Sequence, residues 1–249
     1  MMEKIEDIMT VFWRDWVVLK HRLTAFIISR MIAPMLYMIA FGWGLGRSIE
    51  TIPGISYLDF LVPGILALNS MNISFNSVTP VHAERVYHKS LEEYIVAPIW
   101  PPAYVIGKLL AAVLRGIISS LIIVALAFAF GAHVVTSMWF WLVVVLNCGI
   151  FAGIGFLASM YLSTYEKMGQ INTYVLLPMS FLCGTFFSTK TMPDVLRLII
   201  EALPLTHTSV TLRAISLGQP FEYFSIGVLL VYLIAVVVWG CHAFAGLRK

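Results

Sequence analysis

The sequence predicts an all-α, polytopic membrane protein with six transmembrane helices, on three observations. Hydrophobic residues make up 60% of the chain and charged residues only 12%, with a mean hydropathy of +0.90, far outside the range of a water-soluble domain. Apolar runs recur at about 20 residues each, the length a hydrocarbon core roughly 30 Å thick demands of a helix. The 249 residues leave room for about six such spans in a single membrane domain, with little over for a folded part outside the lipid.

From Glu3 to Lys20, Ile5, Met9, Phe12, Trp16 and Leu19 recur at helical spacing, while Glu3, Asp7, Thr10 and Arg14 take another side. Residues 1–21 therefore read as an amphipathic helix, lying either on the membrane surface or against protein. No cleavable signal peptide is visible, so the first span is expected to direct insertion.

That first span runs from about Leu23 to Gly46, with Arg30 able to snorkel and Pro34 expected to kink it. A second runs from about Tyr57 to Pro80. Residues 81–102 follow, too polar to cross lipid and bounded by prolines, and predict a loop carrying its own short helix. The third span reaches from Val105 to Phe130, with Lys108 and Arg115 placing its first two turns at the interface. Arg115 is expected to pair with Glu92 or Glu93, which would offset its cost at the membrane edge.

The fourth span, Met138 to Leu162, opens on the interfacial aromatics Trp139 and Trp141. A fifth starts at Ile171 and fades near Phe187. The stretch from Leu176 to Arg213 is the least regular at membrane depth, mixing polar turns and glycine with short apolar runs. The sixth span, Phe224 to Leu247, ends in Arg248 and Lys249. Lys4, Arg14, Lys20, Arg22, Arg85, Lys89, Lys108, Lys167, Arg248 and Lys249 fall on one side, against Arg47, Lys190, Arg197 and Arg213 on the other, so both termini are expected in the cytoplasm.

Chemistry-bearing motifs are scarce. The histidines form no HExxH or ligand cluster, no GxSxG elbow is present, and Cys148, Cys183 and Cys241 lie apart in apolar stretches. No GxxxxGK[ST] phosphate loop occurs, so if the chain pumps, the energy comes from elsewhere. In the second span Asn69, Asn72, Asn76 and Thr79 share one helical face. That face reads either as the polar wall of a path or as interhelical hydrogen bonding. Gly42 with Gly46, and Gly149 with Gly153, predict close helix packing. The runner-up to a pump, an ion-driven carrier or channel, would want ionisable groups at mid-membrane, and the spans offer mainly amides.

Two segments carry a family resemblance. LEEYIVAPIWPPAYVIGKLL, after FLVPGILALNSMNISF, resembles the cytoplasmic coupling region and preceding helix of ABC-2 type exporter permeases. MPDVLRLIIEALPLTHTSVTLR resembles that family's signature before the last span, through Met192, Pro193, Pro204, Leu205, His207 and Arg213, with Thr185 as a departure. The small permeases of lipo-oligosaccharide, nodulation-factor and drug exporters look most similar.

The resemblance implies a transmembrane permease that is not itself an enzyme: two copies of this chain with two copies of a separate ATPase, in the bacterial inner membrane, exporting an amphiphilic or lipid-linked substrate. The chain itself would bind no cofactor and no nucleic acid; ATP and magnesium would belong to the partner ATPase. Glu84, Arg85, Leu91, Glu92, Glu93 and Pro98 would form the ATPase-coupling surface. Asn69, Asn72, Asn76, Met179, Cys183 and Phe186 would line the substrate path. Residues 188–218 would form external re-entrant half-helices, with Pro204, His207 and Arg213 at the gate; irregular backbone at that depth is tolerated only when buried or lining a cavity.

Overall fold

The computed structural model describes residues 2–45, 56–97, 99–186 and 193–247. Pro98, Gly46, Arg47, residues 188–192 with Lys190 and Met192, and the terminal Arg248 and Lys249 lie outside the described residues. Among those described, every regular element is helical.

The N-terminal helix α1 (Met2–His21) is followed by α2 (Leu23–Tyr37), which continues as a π-helical segment, Met38–Leu45. Pro34 is accommodated within α2, and the backbone departs from α-geometry one turn later, from Met38. Ser56 then caps α3 (Tyr57–Ser77) by accepting from Leu58 N. After a bend at Val78 the chain continues as α4 (Thr79–Val86), so the second span extends past Pro80 to Val86. Pro80 sits at the start of α4, where its missing N–H costs nothing. The residues expected as loop thus begin with the end of a helix, followed by α5 (Leu91–Val96).

The long helices α6 (Pro101–Ala129) and α7 (Met138–Tyr161) come next. The expected fifth span folds as α8 (Tyr165–Ile171), a π-helical turn Asn172–Leu176, and α9 (Leu177–Leu182). Among the described residues, five helices are long and apolar enough to cross a membrane: Leu23–Phe41, Tyr57–Val86, Pro101–Ala129, Met138–Tyr161 and Tyr223–Gly246. A sixth apolar unit is the bent pair α10 (Asp194–Glu201) and α11 (Pro204–Ser216), which meet at 91°. The chain ends on α12 (Tyr223–Gly246).

Burial sorts these helices into central and peripheral. Within its span 83% of α3 is buried, against 11% of α2, so α3 is the axis around which α6, α7 and α11 pack. Lipid is as apolar as a leucine side chain, and close approach rather than hydrophobic transfer must hold the bundle together. Small residues provide it. A Cβ on Gly149 would meet Leu233 at 2.8 Å and one on Gly153 would meet Val236 at 2.6 Å, so this pair joins α7 to α12 within one chain. Buried polar groups add to the hold: Asn147 on α7 donates to Ala67 O at 3.1 Å and Ser70 Oγ at 2.8 Å on α3, and accepts from Thr208 of α11 at 3.0 Å.

The bundle has two distinct ends. Phe244, near the C-terminal end of α12, stacks on Tyr104 at 4.7 Å, close to the start of α6. At the opposite ends of these helices, His133 N in the α6–α7 loop donates to Asp59 Oδ1 at 2.6 Å, and Val135 N to Ser216 O at 3.4 Å. A 24-residue helix is about 36 Å long, so the two groups stand at opposite ends of the bundle, about a bilayer's thickness apart.

Candidate functional site

At the Tyr104 end three elements meet on a buried ionic cluster. Lys108 on α6 is only 3% exposed, and its Nζ lies 3.2 Å from Asp15 Oδ1 on α1 and 3.1 Å from Glu84 Oε1 on α4. Tyr104, one turn before Lys108 on the same face of α6, donates to Glu84 Oε2 at 2.8 Å. Arg14 stands 3.5 Å from Glu84 Oε1, donates to Tyr94 Oη and lies over that ring at 5.5 Å. Burial works against the Arg14 charge, but Tyr94 and Glu84 beside it hold its pKa above the usual value. A buried charge persists only when paired and hydrogen-bonded, and Lys108, with two carboxylates, meets that condition.

Helix α1 reaches this cluster because α6 has no side chain in its way. A Cβ on Gly107 would meet Val11 Cβ at 2.7 Å. Trp100 N donates to Asp7 Oδ2 at 3.0 Å, and Lys4 lies 4.9 Å above the Trp100 ring. Val11 and Leu19 are buried while Ile5, Met9 and Trp13 stay exposed. The amphipathic helix therefore packs on protein through one side and keeps an apolar row for lipid on another.

The coupling residues expected from sequence divide. Glu84 and Leu91 are buried, and Arg85 donates to Leu162 O at the end of α7. Glu92 and Glu93 are exposed on α5. The expected pairing of Arg115 with Glu92 or Glu93 does not occur: Arg115 Nη1 donates to Ser77 O at 3.1 Å. The physical reason is the bend at Val78, which frees carbonyls at the end of α3 to take a cation, while α5 turns its carboxylates to solvent.

The polar face of α3 also divides. Asn69 donates to Ser119 Oγ on α6 at 2.6 Å and joins the interhelical packing. Asn72 lines a cavity of about 320 Å³ with Tyr37, Asn172, Ser180, Phe181 and Phe186. Asn172 donates to Asn76 Oδ1 at 3.3 Å. Met179 and Cys183 are buried and do not line this cavity. Of the residues expected on the path, Asn72 and Phe186 line this cavity, and Asn76 is joined to its wall through Asn172.

At the opposite end, Pro204 opens α11 just after the 91° bend. Arg213 is 9% exposed: its Nε donates to Phe60 O at 3.0 Å, its Nη2 to Gly184 O at 2.7 Å and Thr185 O at 3.2 Å, and it lies 3.8 Å over the Phe60 ring. Gly184 takes φ +77, and a Cβ on Gly64 would overlap the Thr185 carbonyl; these glycines let the 184–185 turn press onto α3. Thr185, expected from sequence to depart from the family pattern, is buried, with its hydroxyl unpaired among the described residues. His207 Nδ1 lies 3.3 Å from Ser225 Oγ on α12.

Sequence reasoning missed Asp15, Tyr104 and Asn147, and took Lys108 for an interfacial group. An amide in the middle of the fourth span and a lysine one turn after a tyrosine in an apolar helix were the available signals.

Residues 6–217 match the family described as ABC-2 type transporter. The chain is 26% identical over 241 residues to the inner membrane transport permease YadH of Escherichia coli strain K12, covering 90% of this chain and 94% of that one. It is 26% identical over 228 residues to nodulation protein J of Rhizobium meliloti strain 1021, covering 90% and 87%, and 25% identical over 230 residues to that of Rhizobium leguminosarum bv. viciae, covering 91% and 89%.

Proposed function

Since the chain belongs to the ABC-2 type transporter family, a family of transport permeases that serve ABC transporter systems, we propose that it is the membrane half of an exporter for an amphiphilic or lipid-linked substrate such as a lipid, glycolipid, oligosaccharide or drug. Two copies would work with two copies of a separate ATPase. Several apolar helices, and an Escherichia coli relative named an inner membrane permease, support a multi-pass inner-membrane protein. The excess of Lys and Arg at the ionic end supports cytoplasmic termini.

The observation that carries the reading is the Asp15–Lys108–Glu84 cluster. It ties α1, α4 and α6 together at one end of the bundle, beside the exposed Glu92 and Glu93. An ATPase closing on α5 would move these three helices as a unit. Because α4 continues α3 through the bend at Val78, the movement would reach Asn72 and Asn76 at the α3 cavity, and then the Arg213 end, where Pro204, His207 and Arg213 form the external gate. Switching of access by such rigid-body shifts is an established mode of transition.

The few described cations in the membrane helices support the pump over an ion-driven carrier. Arg85, Lys108, Arg115 and Arg213 are bonded to fixed protein groups, and Arg30 lies over the Phe26 ring at 5.5 Å. Reconstitution with the co-purifying ATPase tests the reading: ATP should drive movement of a fluorescent lipid-linked probe across the vesicle. Transport driven by an ion gradient without ATP would overturn it.

A further inference from the structure

We propose that the cavity between the bent pair α10–α11 and the N-terminal half of α12 holds one phospholipid, with its phosphodiester between Arg213 and His207 and an acyl chain along α12. The cavity measures about 1020 Å³, at the upper end of the size that encloses most of a small ligand. It shares no lining residue with the α3 cavity.

Its polar end is cationic in effect. Arg213 spends Nε and Nη2 on three backbone carbonyls, while Nη1 makes no hydrogen bond to any described residue, and no carboxylate lies within ion-pair distance of it among those residues. Carbonyls solvate a guanidinium but leave its charge uncancelled, and in a medium of low dielectric an anion at the open Nη1 gains a charge-assisted bond. The other arginine on the wall, Arg197, is already paired with Glu201 at 2.7 Å. His207 engages Ser225 through Nδ1, leaving Nε2 as a second donor or acceptor toward the same space.

Its other end is apolar. Val210, Phe224, Val228 and Tyr232 line it, and Phe224 and Val210 are exposed. An apolar wall suits an acyl chain, which a free phosphate does not have. Glu222, an exposed residue of the same lining, offers a carboxylate to an ethanolamine ammonium, so a zwitterionic headgroup suits the site better than an anionic one.

Native mass spectrometry of the full chain, released from nanodiscs without any ATPase, tests the site independently of the transport reading. The probes are phosphatidylethanolamine, phosphatidylglycerol, diacylglycerol and inorganic phosphate. One phosphatidylethanolamine per chain is expected to remain bound, with diacylglycerol at least tenfold weaker. Arg213→Gln risks misfolding because it breaks three carbonyl bonds, so Val228→Trp, which fills the apolar end and touches none of them, is the deciding variant. It should lower lipid retention at least tenfold. Retention unchanged in Val228→Trp, diacylglycerol binding as well as phospholipid, or inorganic phosphate competing at the phospholipid's own affinity would each overturn the proposal.

Discussion

Lys108 Nζ lies 3.1 Å from Glu84 Oε1, a contact between residues 24 apart in sequence, on two helices, and both turned away from water. Removing Lys108 alone, as Lys108→Met, takes the shared cation from buried Glu84 and half-buried Asp15 and leaves Glu84 only the more exposed Arg14 at 3.5 Å. Breaking one side of a buried pair costs about 3–5 kcal/mol, whereas replacing both sides is often near neutral. Thermal unfolding in nanodiscs should therefore show Glu84→Gln/Lys108→Met recovering much of what Lys108→Met loses. Simply additive losses would mean the two residues do not act as a pair.

Glu92 and Glu93 are exposed on α5 and make no ion pair among the described residues. Replacing both with Ala should change stability by no more than about 0.5 kcal/mol, while lowering the ATPase rate stimulated by this chain severalfold. Unchanged stimulation would remove α5 from the docking surface.

Two glycines of opposite surroundings make a paired test of the fold. Gly64→Ala places a methyl against the Thr185 carbonyl, which is backbone and cannot swing away; overpacking of this kind costs about 1–3 kcal/mol. Gly169→Ala, in α8 with nothing within 4 Å, should be neutral or stabilise by up to about 1 kcal/mol. Equal melting temperatures for the two variants would contradict the 184–185 turn packing on α3.

The proposed pairing of two copies makes a prediction through α2 and the 165–182 run, which leave much of their surface exposed. Tyr174 is 73% exposed beside the Asn72–Asn172 cavity. In a Cys241→Ser background, where Cys148 and Cys183 are buried, Tyr174→Cys should form a disulfide-linked dimer on mild oxidation in membranes. Tyr223→Cys, at the far end of α12, should not. The reverse pattern would place the two copies together through α12.

The sequence by itself determined the helical class, the order of the spans, the amphipathic N-terminal helix and the broken stretch before the last span. Each is a local property: apolar length matched to the bilayer, periodicity within one helix, and prolines that stop or open helices. Even the close packing at Gly149 and Gly153 was legible, though not that its partner is α12 of the same chain.

Which charges meet was decided only by the tertiary structure. Arg115 looked as if it needed a carboxylate, yet the bend at Val78 supplies it with the Ser77 carbonyl, and Glu84 goes instead to Lys108. Asn69, Asn72 and Asn76 share a helical face in sequence, but α3 is so enclosed that a small rotation sends the first to Ser119 and the second to a cavity. Such pairings depend on crossing angles and on bends of a few residues, which fix positions to within an ångström. Hydropathy and periodicity report only which side of a helix is polar, not what stands opposite it.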